Sequence, residues 1–175
     1  MRKKIKLFDP VIGISEERET VKILRSGYWA SGAGSGKVLQ FENKFREYLG
    51  SDQCIAVNSG TAALNLSLSL LNIKNKEVIL PSLSFVSTAH AVTLNGGIPV
   101  FVDVDAKTCC IDPKQIRKAI SKKTAVILPV HFAGMACNMD KILDICEESN
   151  VQLVEDAAHA SGAKYNHKKI GSHGM

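Results

Sequence analysis

Val151-Gln152-Leu153-Val154-Glu155-Asp156-Ala157-Ala158-His159-Ala160 is the stretch on which the reading of this chain turns. The apolar run Val151 to Val154 reads as a short buried strand, and it runs directly into acid. In an open α/β sheet, ligands settle in the crevice outside the carboxyl ends of the strands. Asp156 stands at such an end. The small residues after it let a flat ligand lie close to the backbone, and His159 follows three positions on.

Upstream, the pattern alternates strand and helix. Residues 13 to 27 carry Ile14, Val21 and Leu24 at helical spacing, with Ser15 as N-cap and Glu16 and Glu17 in the first turn. A glycine-rich loop, Gly27 to Gly36, precedes a helix from Val38 to Leu49, with Phe41, Phe45 and Leu49 on one face and Gly50 as its stop. Gln53 to Val57 reads as a strand. Thr61 to Leu71 reads as a helix on the spacing of Leu64, Leu68 and Leu71, although its leucines also alternate with period two. Strands follow at Glu77–Leu80, Pro99–Val104 and Thr124–Val130. Helices are expected at Ser84–Leu94, at Pro113 to about Ile120 behind an Asp112 N-cap, and at Met139–Ser149. Repeated β-α-β alternation with apolar strands means a doubly wound, mostly parallel α/β sheet.

Composition narrows the function. A chain of 175 residues can bury a sizeable core. No apolar run approaches the roughly 18 residues of a membrane span. The basic N-terminus lacks the apolar segment of a signal peptide, so the expectation is a cytoplasmic protein without membrane contact. Five scattered cysteines with no C-x-x-C pair suggest neither a disulfide framework nor a zinc site, and the five histidines show no metal-ligand spacing. The net charge of +5 comes from dispersed lysine and arginine clusters without interleaved aromatics, which reads as solvated surface rather than a nucleic-acid footprint.

Three strand ends carry chemistry-bearing residues. In Asn58-Ser59-Gly60-Thr61, the N–H groups at a helix start attract a phosphate, Gly60 permits close approach, and the Ser59 and Thr61 hydroxyls can add hydrogen bonds; a tight turn with an N-cap would look the same. Phe85, after Pro81-Ser82-Leu83-Ser84, can stack on a planar ring or sit in the core. Asp103 and Asp105 can act as paired carboxylates or as turn residues. His131 reads as a structural hydrogen-bonding residue. Gly32-Ala33-Gly34-Ser35-Gly36-Lys37 fits neither nucleotide-loop pattern and reads as a surface or lid loop. A buried carboxylate in such a crevice suits a pyridine ring whose nitrogen must stay protonated for the ring to act as an electron sink, which describes pyridoxal 5′-phosphate (PLP).

Ser59-Gly60-Thr61-Ala62-Ala63-Leu64, Pro81-Ser82-Leu83-Ser84-Phe85-Val86-Ser87-Thr88, Val102-Asp103-Val104-Asp105, Pro129-Val130-His131-Phe132-Ala133-Gly134, Glu155-Asp156-Ala157-Ala158-His159-Ala160 and Gly171-Ser172-His173-Gly174 occur in this order. Together, from about Phe8 to Met175, they resemble the DegT/DnrJ/EryC1/StrS family of PLP-dependent sugar aminotransferases, which have the aspartate-aminotransferase fold (PLP fold type I). The resemblance implies that Gly60 and Thr61 hold the cofactor phosphate, Phe85 stacks on the pyridine ring, Asp156 pairs with its nitrogen and His159 lies near its hydroxyl. Trp29 and Ser31 would border the substrate.

It further implies transfer of an amino group, usually from glutamate, to a keto carbon of a nucleotide-linked sugar, for polysaccharide or glycoconjugate biosynthesis. Full-length members complete their sites as homodimers. The family's Schiff-base lysine would lie beyond Met175, so residues 1–175 are expected to be the N-terminal arm and first part of the PLP-binding large domain. The rest of that domain and the small C-terminal domain would be absent, and the chain inactive alone. Two alternatives stay open: a sugar 3-dehydratase of the same family, with histidine in place of lysine, and a non-catalytic remnant or partner subunit. Sugar, nucleotide and ring carbon also stay open.

Overall fold

The computed structural model describes residues 9–29 and 36–174. The chain forms two compact units that divide between Lys44 and Phe45.

In the first unit, α1 spans Ile14–Ser26. Its N-cap is Gly13, not Ser15: the Glu16 carboxylate, three residues on, accepts from the Gly13 N–H at 2.8 Å. That contact satisfies one donor at the open helix end and places negative charge against the positive end of the dipole. Gly27, at φ 71, ends the helix in the left-handed region. Helix α2, Gly36–Leu49, within which the division falls, begins two residues before its expected start. Gly50 follows at φ 75 and its N–H returns to the Arg46 carbonyl, as a glycine stop requires.

The second unit is built on a four-stranded sheet. Helix α3 is Gly60–Ser69, β1 Glu77–Pro81, α4 Val86–Leu94, β2 Ile98–Val102, α5 Pro113–Ala119, β3 Thr124–Ile127, α6 Met139–Ser149 and β4 Gln152–Leu153. The strand order is β2-β1-β3-β4, and every pair is parallel. Side chains alternate across a strand, and both faces here are apolar. Val78, Leu80, Val126 and Leu128 point into one cluster with Leu64 and Leu68 of α3 and Ala91 and Val92 of α4. Ile79, Ile127 and Leu153 point the other way, into a cluster with Ile116 of α5 and Ile142 and Ile145 of α6. The sheet is therefore doubly wound.

The placement of the helices follows from handedness. Parallel crossovers are right-handed, so reversing direction along the sheet moves the helix to the other face. The first crossover runs from β1 to β2 and places α4 on one face. The next two run the opposite way, from β2 over β1 to β3 and on to β4, and place α5 and α6 on the other. The direction switches between β1 and β3, where such sheets open a crevice at their carboxyl ends.

Several expected boundaries move. Residues 53–57 join no ladder among the described residues, and Ile55 is 71% exposed. An apolar run becomes a strand only when a neighbouring strand takes up its backbone groups, and composition alone does not supply one. Leu64 and Leu68 bury on one helical face while Leu66 and Leu70 stay exposed, which settles the ambiguous segment as helix. Pro81 is the last residue of β1 instead of its stop. Helix α4 starts at Val86 with Phe85 at its N-cap, not at Ser84. Strands β2 and β3 end earlier than expected, leaving Val104 and Val130 in isolated bridges to Ile111 and Asp156. A hairpin that the sequence reading missed, β5 Lys164–Tyr165 and β6 Lys168–Lys169, turns through Asn166 and His167 at φ 46 and 67. Two consecutive left-handed residues are what a type I′ turn demands.

Candidate functional site

A cleft of about 330 Å³ opens at the β1/β3 switch, lined by Gly60, Thr61, Ser84, Phe85, Phe132, Asp156 and His159 among others. The structure thus gathers all five expected cofactor residues at one place, from three segments distant in sequence. Gly60 and Thr61 are the first two residues of α3, whose opening N–H groups have no partner within the helix. A Cβ at Gly60 would meet nothing within 4 Å, so its backbone is open to a ligand. The Ser59 hydroxyl is already engaged: it caps α3 by accepting from the Ala62 N–H at 3.2 Å and donates to Asn58. The phosphate reading therefore passes to Gly60 and Thr61 alone.

Phe85 is 71% exposed, not part of the core. A large aromatic face left open beside a cleft is available for stacking. Asp156 is only 7% exposed. Its Oδ2 accepts from the Thr88 hydroxyl at 2.9 Å, and its Oδ1 from the Ala158 N–H at 3.2 Å. Ser84 in turn donates to Thr88 at 2.7 Å, so Thr88 can spend its single proton on the carboxylate. Strand pairing fixes the backbone: Asp156 N–H donates to the Pro129 carbonyl, and His131 N–H to the Asp156 carbonyl.

His159 is held by a strained turn. Residues Phe132–Gly134 form a 3₁₀ turn headed by His131, in which Ala133 sits at φ 51 and Gly134 at φ 84. Left-handed alanine costs about 1–2 kcal/mol. In return the Ala133 N–H donates to His159 Nδ1 at 3.2 Å, and Phe132 meets the imidazole edge-on with ring centroids 6.0 Å apart. Because Nδ1 accepts, the proton resides on Nε2.

Beneath this turn lies a second network. His131 is fully buried and paired at both ring nitrogens: Nδ1 accepts from the Cys137 N–H at 3.1 Å, and Nε2 faces Glu155 Oε2 at 3.1 Å. Glu155 also accepts from the N–H groups of Gly171, His173 and Gly174. Burial by itself would raise the Glu155 carboxyl, but His131 and those three N–H groups outweigh it and hold it at about 2. His173 is pushed below its ordinary value, chiefly by burial.

The remaining expectations fall elsewhere. Asp103 and Asp105 are turn residues: Asp105 accepts from the Lys107 and Thr108 N–H groups, which hold its carboxyl below the ordinary range. Trp29 lies in the other unit, with its indole N–H donated to the Leu24 carbonyl. Ser31 falls outside the described residues. Sequence reasoning missed Thr88, Ala133 and the role of Glu155. The available signals were a hydroxyl pair four apart at a helix start, for Ser84 and Thr88, and strand alternation, which turns Glu155 away from Asp156. Nothing in the sequence announces a left-handed alanine.

The cleft joins an open helix start, an aromatic face and a buried carboxylate, a set that fits a flat heterocycle carrying a phosphate arm. Comparison with known proteins agrees. The model of the DegT/DnrJ/EryC1/StrS aminotransferase family matches residues 11–175. The spore coat polysaccharide biosynthesis protein SpsC of Bacillus subtilis is 41% identical over 166 residues, 94% of this chain and 42% of that protein. GDP-perosamine synthase of Caulobacter vibrioides is 40% identical over 159 residues, 90% of this chain and 43% of that protein. Among solved structures, NtdA from Bacillus subtilis with bound cofactor PMP superposes with a TM-score of 0.80 at 35% identity, covering 87% of this chain and 35% of that one. The chain thus spans less than half the length of the relatives it matches. No helix among the described residues is long and apolar enough to cross a membrane.

Proposed function

This chain belongs to the DegT/DnrJ/EryC1/StrS aminotransferase family, and from that premise we propose that its cleft is the cofactor half of a PLP-dependent sugar aminotransferase site. The observation that carries the reading is the convergence of Gly60, Thr61, Phe85, Asp156 and His159 on one cleft at the topological switch. When bound, PLP supplies an electron sink for carbanionic chemistry at an amino carbon. The chain's own residues do the rest. Gly60 and Thr61 take the phosphate on the open end of α3. Phe85 covers one face of the ring. Asp156, held in place by Thr88 and the Ala158 N–H, keeps the ring nitrogen protonated. His159 offers its Nε2 proton to the ring hydroxyl.

The substrate reading is a nucleotide-linked keto sugar, in keeping with a polysaccharide-biosynthesis protein and a GDP-perosamine synthase among the relatives, and the proposed amino donor is glutamate. The working protein is proposed to be a cytoplasmic homodimer, with Trp29 and Ser31 toward the substrate. Residues 1–175 correspond to the N-terminal arm and the first part of the large domain. No lysine is among the residues that line the cleft, and residues 1–175 alone are proposed to be catalytically silent.

The test is to purify the native protein that carries this sequence and titrate it with PLP. A bound-cofactor absorbance band should appear, bleach with glutamate and return with a nucleotide keto sugar. Absence of any band would overturn the reading; a band that glutamate leaves untouched would overturn the transaminase assignment.

A further inference from the structure

Two features meet behind the cleft wall, and no cofactor contact accounts for either. One is the left-handed Ala133, which has an ordinary side chain in a backbone region that favours glycine. Such a conformation persists only where its surroundings over-determine it. The other is Glu155, a carboxylate 3% exposed that gathers four donors although it faces away from Asp156 and the cleft.

His131 connects them. It heads the turn that contains Ala133, and its ring is pinned between the Cys137 N–H and Glu155. Its side chain cannot rotate without breaking one of these bonds inside the core. The turn it heads is therefore fixed at its start by Glu155 and at its middle by the bond from the Ala133 N–H to His159 Nδ1. Gly134 closes the fit: a Cβ there would approach the His159 carbonyl to 3.2 Å. On its other side, Glu155 gathers the Gly171, His173 and Gly174 N–H groups. Gly174 packs so closely on β4 that a Cβ would come within 2.9 Å of the Leu153 carbonyl.

We propose that Glu155 is a positioning residue of the cleft: through His131 it locks the left-handed turn that keeps the His159 proton on Nε2, and through residues 171–174 it fixes the chain that leaves the site. This rests on the PLP reading of the cleft for its functional meaning, but the linkage itself is a property of the protein without cofactor. Glu155→Gln is the informative change. An amide has one accepting atom where the carboxylate has two: with its nitrogen toward His131 it meets the Nε2–H as donor against donor and loses the Gly171 bond, and turned the other way it faces the His173 and Gly174 N–H groups in the same manner. With that clamp loosened, Ala133 relaxes, its N–H leaves Nδ1, and either nitrogen of His159 can carry the proton.

The experiment uses the native protein, first without cofactor. Nitrogen-15 imidazole spectra of the wild type should show His159 as the single Nε2–H tautomer. Glu155→Gln should give a mixture, and amide exchange at 171–174 should accelerate. In the PLP-loaded protein, the pH midpoint of the bound-cofactor absorbance should move in the variant. A variant that is less stable yet keeps one His159 tautomer and an unmoved midpoint would overturn the proposal, since a merely structural role predicts just that. Should Glu155→Gln fail to fold, His131→Gln keeps a donor to Glu155 but cuts the tie to Cys137. It should free the His159 tautomer while residues 171–174 stay protected, and a fixed tautomer there would also overturn the proposal. If the wild type gains no absorbance with PLP, the cofactor reading falls, while the imidazole spectra still decide the linkage.

Discussion

The Thr88 hydroxyl donates to Asp156 Oδ2 at 2.9 Å across a sequence separation of 68 residues. Helix α4 and the segment after β4 are thereby joined at a carboxylate that lines the cleft. Since Ser84 donates to Thr88, the three side chains form a directed chain that ends on the carboxylate. A buried carboxylate oriented in this way costs little reorganisation when a cationic ring nitrogen arrives.

Thr88→Val keeps the shape and removes the donor. Asp156 Oδ2 then loses its side-chain partner while largely buried, which costs about 1–3 kcal/mol. Denaturant unfolding should show that loss, and PLP titration should show weaker binding. Ser84→Ala leaves the Thr88 bond to Asp156 intact and should cost about 1 kcal/mol or less. If the two variants lose equal amounts, the direction of the relay is wrong.

Asp156→Asn tests charge apart from shape. The amide oxygen can still accept from Thr88, at the loss of the Ala158 N–H bond, so the fold should survive at some cost in stability while the open start of α3 is unchanged. If the proposed PLP reading holds, turnover of the native protein should fall roughly 10²-fold or more, the scale of losing one preorganised electrostatic contact. Stopped-flow bleaching with glutamate would measure it, and an unchanged rate would remove Asp156 from the ring nitrogen.

The sequence makes the sheet legible because its central strands β1 and β3 are apolar on both faces, and Val78 to Leu80 and Ala125 to Leu128 read as unbroken apolar runs. Residues 85 and 156–159 are legible because each follows such a run, where a doubly wound sheet places its ligands, and residues 59–61 because a helix start opened by small and hydroxyl residues suits a phosphate. Residues 53–57 misled because pairing is a property of neighbours, not of composition. Ala133 and the Glu155 cluster were illegible for a related reason. Left-handed geometry at alanine and a carboxylate shared by residues 131, 171, 173 and 174 exist only once distant segments have met.

Glu155 also sets an acid limit on stability. Its carboxyl lies at about 2 in the folded protein against 4.5 for the ordinary group, so the unfolded chain binds the proton more tightly. Its contribution is then fully present above about 4.5 and is lost as pH falls from there toward about 2. The shift corresponds to something on the order of 3 kcal/mol. Urea midpoints measured through that window should fall for the wild type and fall less steeply for Glu155→Gln. Parallel curves would mean that other carboxylates dominate acid unfolding.

Gly97→Ala probes packing far from the cleft chemistry. Gly97 does not need a left-handed backbone; its constraint is space. A Cβ would lie 2.9 Å from Val92 Cγ1, 3.1 Å from Ile73 Cδ1 and 3.2 Å from the Val92 carbonyl. Val92 and Ile73 are themselves buried in the cluster beneath α3 and α4, so neither can swing into solvent. The added methyl must push α4 away from the start of β2, an overpacking that costs about 1–3 kcal/mol. Helix α4 also carries Thr88, so the strain should reach the cleft as a modest loss of PLP affinity beside the drop in melting temperature. A variant as stable as wild type would show that the join between α4 and β2 is looser than its contacts imply.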